Sequence, residues 1–391
     1  ILSPTYPPNA VPCGVGDFTK MLAPRLAETG LEVRVFAGAG YTGPGEEGSV
    51  RVRKIPGGWG PASLGRIARA SREEGIGALL VQYAPDLYPP AGRWIHILPA
   101  AMRLLAPGIP PVFSMHTVGI STLASKAGAA LMLASAPAIL STNEEVTRLI
   151  GKYLRKSPRK LREVPIGANI EPSPGGAGER EAARRRVREE AGLGPEDWVL
   201  AHFGFYYPGK GTEEIIGAAA RWKEEGRRFR LFMAGGRWPD DGGFYPALKE
   251  RAEAAGLGEE LIWTGYVSEE RISEILLAAD LFLAPFAGGI SSRRGSLMAA
   301  LAHGLPVVST PPQAPTKYFR EGENFSPVPF GDAGALAAAA AALMEDPERR
   351  ARLAEGASAL AEIFSWPAIA LRTRDFLETV VDRGPLAGPG A

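Results

Sequence analysis

The sequence predicts an α/β protein of two parallel-sheet domains, each sheet carrying helices on both faces. Three observations carry this. Apolar, strand-like runs alternate with helical runs from one end of the chain to the other, the order that builds parallel sheets. At 391 residues the chain is long for one domain and fits two. The rhythm also breaks once, from Gly167 to about Asp197, where SPGGAG, a charged helical run (Glu179–Ala191) and GLGPED follow one another as an inter-domain linker plus a surface helix.

In the first half, Ile1–Ser3 reads as a strand end, followed by the loop PTYPPNAVPCGVGD and a helix from about Phe18 to Thr29 that Gly30 closes. Glu32–Ala37, Arg51–Ile55, Ala78–Gln82, Pro111–Met115, Ala138–Ser141 and Leu161–Pro165 are expected strands. Ser63–Glu74, Arg93–Leu105, Leu123–Ser135 and Glu144–Leu154 are expected helices. Ligands of such sheets sit at the carboxyl ends of the strands, where the sequence puts Gln82 and Tyr83, His116 and Thr117, and Thr142 to Glu144. Gly14 and Gly16 stand just before the first helix as a short phosphate-turn signal, without the full dinucleotide fingerprint; tight-turn glycines are the plain alternative. Asp17 is expected to cap that helix.

In the second half, Trp198–Phe203, Phe229–Ala234, Leu261–Thr264, Leu281–Pro285 and Pro306–Thr310 are the expected strands. Thr212–Glu225, with Thr212 as N-cap, Ala333–Met344, Pro347–Ile363 and Trp366–Asp382 are helical, and GPLAGPGA trails after them. The most informative stretch is APFAGGISSRRGSLMAALAHGLPVVST (Ala284–Thr310). Gly288 and Gly289 let backbone amides crowd around a small anion. Ser291 or Ser292 is expected to cap a helix from about Arg294 to Ala302, whose free amides and dipole, beside Arg293 and Arg294, favour phosphate. An ordinary αβ unit with two solvated arginines is the alternative.

Composition narrows the function. A net charge of +1, from 44 Lys and Arg against 43 Asp and Glu, argues against a nucleic-acid binder. No run approaches a membrane span, and no signal peptide is expected. The single cysteine, Cys13, excludes a disulfide framework, leaves little for zinc alongside four histidines, and suits a reducing, cytoplasmic location. The basic run KYLRKSPRKLR (Lys152–Arg162) reads as a solvated face, with an anionic membrane surface or a phosphorylated substrate as the alternative partner.

FGFYYPGKG, LFMAGG, IWTGYVSEERISEILLAADLFLAPF, GGISSRRGSLMAALAHGLPVVST and FGDAGALAAAAAALMEDPERR, in that order, resemble the family 4 (group 1) glycosyltransferases, retaining sugar-nucleotide enzymes with the GT-B fold. CGVGDFTKMLAPRLAETGLEV, SMHTVG, STNEEV and PIGANI extend the resemblance over nearly the whole chain. It implies an acceptor-binding domain over 1–168, a nucleotide-sugar domain over 169–365, and a crossover helix and tail over 366–391 packing on the first domain. It also implies a nucleoside-diphosphate-sugar donor and a glycan, lipid-linked or small-molecule hydroxyl acceptor. Lys210 matches the diphosphate lysine, Gly14 and Gly16 the glycines that approach the donor phosphate, and His116 the histidine that contacts the transferred sugar. Gly204, Gly288, Gly289, Ile290, Ser291, Ser292, Arg293 and Arg294 complete the expected donor site. Asp17, Tyr83, Asn143 and Glu144 are the expected acceptor contacts.

Three positions depart from the family. Its two glutamates would fall on Ser291 and Ala299, and the arginine ahead of the KG lysine is replaced by Phe205. Charge accounting then assigns the second phosphate partner to one of the two arginines, Arg294 being the expected inward one, with Lys210 and Arg294 stabilising the leaving group. No Asp-x-Asp pair is present, since Asp240 and Asp241 are adjacent in a Gly/Pro loop. Metal-independent catalysis without a cofactor is therefore expected, with front-face attack as the resemblance implies. A GT-B epimerase or phosphorylase, and a catalytically silent nucleotide-sugar-binding partner, are the rival readings.

Overall fold

The computed structural model describes residues 1–9, 13–88, 90–118, 122–153, 160–172, 176–237 and 242–382. The chain forms two compact units, Ile1–Gly167 with Trp366–Ala391, and Ala168–Ser365.

The first unit runs β1 (Leu2–Ser3), α1 (Gly14–Glu28), β2 (Val33–Ala37), β3 (Glu46–Glu47), β4 (Val50–Lys54), α2 (Ala62–Glu73), β5 (Leu79–Tyr83), a 3₁₀ stretch (Pro90–Ile97) leading into α3 (Leu98–Leu105), β6 (Pro111–Met115), α4 (Leu123–Ser135), β7 (Ala138–Ser141), α5 (Glu144–Tyr153) and β8 (Leu161–Glu163). Its sheet has the order β3-β4-β2-β1-β5-β6-β7-β8 and is parallel except for the β3–β4 pair. β5 and β6 are buried along their whole length. Their side chains alternate between two cores with the strand period of two: Leu79, Val81 and Tyr83 join Phe113 on one face, and Leu80 joins Val112 on the other.

The second unit runs α6 (Gly176–Glu190), β9 (Trp198–Phe203), α7 (Thr212–Glu224), β10 (Phe229–Ala234), α8 (Phe244–Ala254), β11 (Leu261–Gly265), α9 (Glu269–Ala278), β12 (Leu281–Ala284), α10 (Gly295–Ala302), β13 (Val307–Ser309), β14 (Ser326–Pro327), α11 (Ala333–Glu345) and α12 (Pro347–Ile363). Its all-parallel sheet has the order β11-β10-β9-β12-β13-β14. The charged run after the composition break is no mere surface appendage: α6 packs on α9 and buries Ala183 and Val187 completely. The last helix, α13 (Trp366–Asp382), returns to the first unit, where it packs on α1 with Trp366 5.4 Å from Phe18, ring centroid to centroid.

Several local expectations are corrected. α1 starts at Gly14, with Cys13 as its N-cap, so Asp17 lies inside the first turn and caps nothing. The expected helix over Arg93–Leu105 splits into the 3₁₀ stretch and α3, because Pro99 in the first turn of α3 has no amide to bond a preceding turn. Gly211 rather than Thr212 caps α7, and Arg294 rather than Ser291 or Ser292 caps α10. α8 and α9 have no counterpart among the expected helices, although α9 carries a Ser268 cap accepting from the Arg271 amide, followed by Glu269 and Glu270.

Candidate active site

In the second sheet the strand order reverses direction at β9, which pairs with β10 on one side and β12 on the other. A doubly wound sheet opens its ligand crevice at such a switch point, beyond the carboxyl ends of those strands. The loops leaving β9 and β12 meet there. The Ala287 amide donates to the Gly209 carbonyl at 3.0 Å. Lys210 stands between Gly209 and Gly211, both left-handed at φ 84° and 85°, and a Cβ on Gly211 would lie 2.3 Å from the Pro285 carbonyl oxygen. Only glycine fits these two positions, and together they turn Lys210 inward, where it is 5% exposed.

The Lys210 ammonium donates to Ser296 Oγ at 3.2 Å and lies over the Phe286 ring, 5.0 Å from its centroid. Burial, and then the neighbouring Arg294 charge, bring its pKa down to about 7. Arg294 lies over the same ring with Cζ at 4.0 Å, donates from Nε to the Gly289 carbonyl at 3.3 Å, and is hydrogen-bonded to the Tyr207 side chain. Burial lowers its pKa, Tyr207 opposes that, and Arg293 adds to it. Arg293 itself is exposed. Arg294 caps α10 without any side-chain hydrogen bond to the first-turn amides, leaving the positive end of the helix beside two cations.

These groups border a cavity of about 650 Å³ that also takes in Gly204, Phe205, Tyr266, Arg293 and the start of α10. Gly204 has a φ of 130°, a conformation that favours glycine, and a Cβ there would lie 2.9 Å from Lys210 Nζ. Phe205, in the place of the expected arginine, packs edge-on against Tyr266 at 5.9 Å, and Tyr266 is 73% exposed. The arrangement offers a cationic floor for an anion and an aromatic wall for a flat group.

The other predicted residues of this loop line up behind the cations. A Cβ on Gly288 would approach Arg294 Nη2 to 3.0 Å. Gly289 lies against the backbone of Pro311, and Ile290 is buried with its amide on the Thr310 carbonyl at 2.9 Å. Ser292 is buried. Ser291 Oγ and Thr310 Oγ1 are buried hydroxyls without a hydrogen-bond partner. Ala299, at the second glutamate position, is fully buried. Sequence reasoning missed Tyr207, Phe286 and Ser296; Tyr207 stands three residues before Lys210, and Phe286 lies two residues past the end of β12.

In the first unit, Gly14 opens α1 with nothing within 4 Å of an added Cβ, whereas a Cβ on Gly16 would lie 2.1 Å from the Thr5 carbonyl oxygen. His116, just past β6, contacts Phe18 edge-on at 4.9 Å and donates from Nε2 to Gln82 Oε1 at 2.8 Å. Burial drives its pKa down to about 3, so the ring is neutral. Tyr83 is buried and its hydroxyl shares a hydrogen bond with His96 Nε2 at 2.8 Å. Asn143 is buried as well, its Oδ1 accepting from the Val146 amide at the start of α5. Asp17 is exposed and Glu144 half-buried. The Asp240–Asp241 pair, residues 154–159 of the basic run and the tail from residue 383 lie outside the described residues. Among the described residues, no three His, Cys, Asp or Glu side chains are placed to share a metal ion, and no helix is long and apolar enough to cross a membrane.

Comparison with known proteins agrees with this architecture. Residues 183–359 match the model for glycosyl transferases group 1, and residues 13–167 that for the glycosyl transferase 4-like domain. D-inositol 3-phosphate glycosyltransferase 2 of Catenulispora acidiphila is 27% identical over 68% of this chain and 65% of its own length. Phosphatidyl-myo-inositol mannosyltransferase of Mycobacterium leprae is 35% identical over 34% of this chain and 36% of its own. The chain thus spans less than two thirds of the length of either relative. Among solved structures, sucrose-phosphate synthase from Thermosynechococcus elongatus superposes with a TM-score of 0.72 at 18% identity, covering 98% of both chains. HepE of Anabaena, in complex with UDP and glucose, gives 0.69 at 15% identity over 97% of this chain and 98% of its own. With two family models covering most of its length, and a fold shared end to end with these structures, the chain belongs to the group 1 glycosyltransferases and has their GT-B fold.

Proposed function

We propose that this chain moves a sugar from a nucleoside-diphosphate sugar to a hydroxyl acceptor, with retention and without a metal ion. The observation that carries the reading is the pair of cations, Lys210 and Arg294, over one aromatic ring at the switch point of the second sheet. The diphosphate lies between these two and the α10 amides, the donor base stands against Phe205 and Tyr266, and the orphaned Ser291 hydroxyl takes a sugar hydroxyl in place of the family's glutamate. A donor of this class is also in keeping with HepE, which was crystallised with UDP-glucose.

In the reaction, the bond between the anomeric carbon and the diphosphate oxygen breaks as negative charge builds on the leaving group. Lys210 and Arg294 stabilise that charge, which is the main catalytic need. The acceptor oxygen attacks from the face the diphosphate leaves, and its proton passes to a diphosphate oxygen. The first unit takes the acceptor, a sugar, lipid-linked or small-molecule hydroxyl, and His116, Gly14 and Gly16 meet the donor as the family resemblance implies. With one cysteine in the sequence, a cytoplasmic site of action belongs to the same proposal.

A thermal-shift screen of UDP-, GDP-, ADP- and TDP-sugars tests the donor class. A bound donor at a hundred times its dissociation constant should add about 2.7 kcal/mol of stability. Nucleoside diphosphate release then tests turnover. No stabilisation by any donor would overturn the reading, and stabilisation without release over an acceptor panel would make the chain a silent binding partner.

A further inference from the structure

α4 has the sequence LASKAGAALMLAS, in which Ser125, Lys126 and Ser135 are the only polar side chains. Ala129, Met132 and Leu133 are buried, yet Ala127, Ala130, Leu131 and Ala134 on the outer side are exposed, with Lys126 the only charge of the helix. A surface helix ordinarily turns a polar face to water; one apolar all round is ordinarily covered. α3 repeats the pattern: Met102 is buried, while Leu104 is 83% and Leu105 42% exposed. The two helices touch each other and the 3₁₀ stretch before α3, on which Trp94 is 44% exposed. Arg103 ties the outer edges of the helices together by donating to the Ser135 carbonyl at 2.9 Å, one turn beyond Leu131. Charge on this segment has one sign: between Asp86 and Glu144 the sequence holds Arg93, Arg103 and Lys126 and not one carboxylate.

We propose that the α3–α4 face of the first unit docks on an anionic lipid bilayer. Leu104, Leu105, Leu131 and Trp94 enter the boundary between headgroups and acyl chains, and Arg103 and Lys126 lie against lipid phosphates. Exposed apolar side chains on contiguous elements supply the insertion. A tryptophan suits the headgroup level, with an apolar body and one polar N–H. The lack of carboxylates selects a negative surface. It also disfavours a second copy as occupant, because a two-fold contact through this face would set Arg103 and Lys126 against their own copies with no acid of the segment between them.

Flotation of the full chain with phosphatidylcholine vesicles, with and without phosphatidylglycerol, tests the proposal. The protein should float with the phosphatidylglycerol vesicles and remain behind with the neutral ones. Leu104→Glu with Leu131→Glu should abolish flotation, and Arg103→Gln with Lys126→Gln should weaken it roughly thirtyfold at low salt. Leu371→Glu, an exposed apolar site on α13, should leave it unchanged. Thermal unfolding by circular dichroism confirms that each variant is folded. Failure of the unmodified chain to float, or flotation indifferent to the leucine pair, would sink the idea. A dimer in sedimentation velocity that the leucine pair splits would assign the face to self-association instead. Donor binding in the thermal-shift screen is independent of vesicle binding, so either reading can fail alone.

Discussion

Lys210 and Arg294 share the Phe286 ring, the ammonium nitrogen 5.0 Å and the guanidinium carbon 4.0 Å from its centroid. Two like charges are thus held together in a largely buried place, and among the described residues no carboxylate is among the groups that move either pKa. The ring, Ser296 and Tyr207 offset part of the cost; a cation–π contact contributes on the order of 1 kcal/mol. An arriving diphosphate would offset the rest, which is the sense in which the site is built for an anion.

That geometry separates the two neighbouring arginines. Arg294→Ala should lower turnover by about two orders of magnitude, the scale on which one preorganised electrostatic partner matters, and Lys210→Ala by two to three. Arg293→Ala should cost at least about tenfold less than Arg294→Ala, since Arg294 is held over the Phe286 ring and Arg293 is the exposed one. Nucleoside diphosphate release under saturating donor measures all three. Equal losses at 293 and 294 would contradict the assignment.

Lys210 also predicts a pH dependence. Its pKa is about 7 in the folded protein against 10.5 for an ordinary lysine, so between those values the unfolded chain holds a proton that the folded one lacks. Stability of the ligand-free protein should therefore rise with pH through that window, with the burial penalty fully present below it. Diphosphate binding should reverse the shift and, at about pH 8, take up close to one proton. Calorimetry in two buffers of different ionisation enthalpy reads the uptake, and Lys210→Met should abolish it.

The two glycines of the first helix should behave differently. Gly16→Ala places a Cβ against the Thr5 carbonyl oxygen and should destabilise the protein by about 3 kcal/mol. Gly14→Ala meets open space and should leave the melting temperature unchanged while raising the donor KM, if the Gly14 backbone approaches the donor. Melting curves and donor titrations separate the two effects. An unchanged KM would remove Gly14 from the site.

Turnover should survive EDTA, because cationic side chains and the helix-start amides take the role a metal fills elsewhere. Loss of diphosphate release on chelation, restored by magnesium or manganese, would refute this.

Much of the fold could be read where strands are buried on both faces. Pro111–Met115, Ala138–Ser141, Trp198–Phe203 and Phe229–Ala234 have the expected bounds, because unbroken apolar runs between turn residues leave a strand few other places to end. Helix starts were harder. Ser, Thr and Asp are good caps by local chemistry, yet Gly211 and Arg294 took those positions because the β9 and β12 loops clamp each other. The same holds in the site. Lys210 was legible from its KG pair, whereas the Lys210–Ser296 contact joins positions 86 residues apart and no local pattern reports it. Tyr83 ends β5 and Asn143 lies two residues past β7, a placement that ligand contacts share with core and capping residues.

The return of α13 to the first unit has a consequence for how the protein is made. Trp366, Ile369, Ala370, Phe376 and Val380 belong to the same core as Phe18, Leu22 and Val35, so that core joins stretches which the whole second unit separates in sequence. The second unit is continuous in sequence and can close as it is synthesised, while the core of the first must wait, with one side of α1 bare, until α13 has also been made. A nonsense change early in α13 would therefore damage the packing of α1, far in sequence from the codon that was altered.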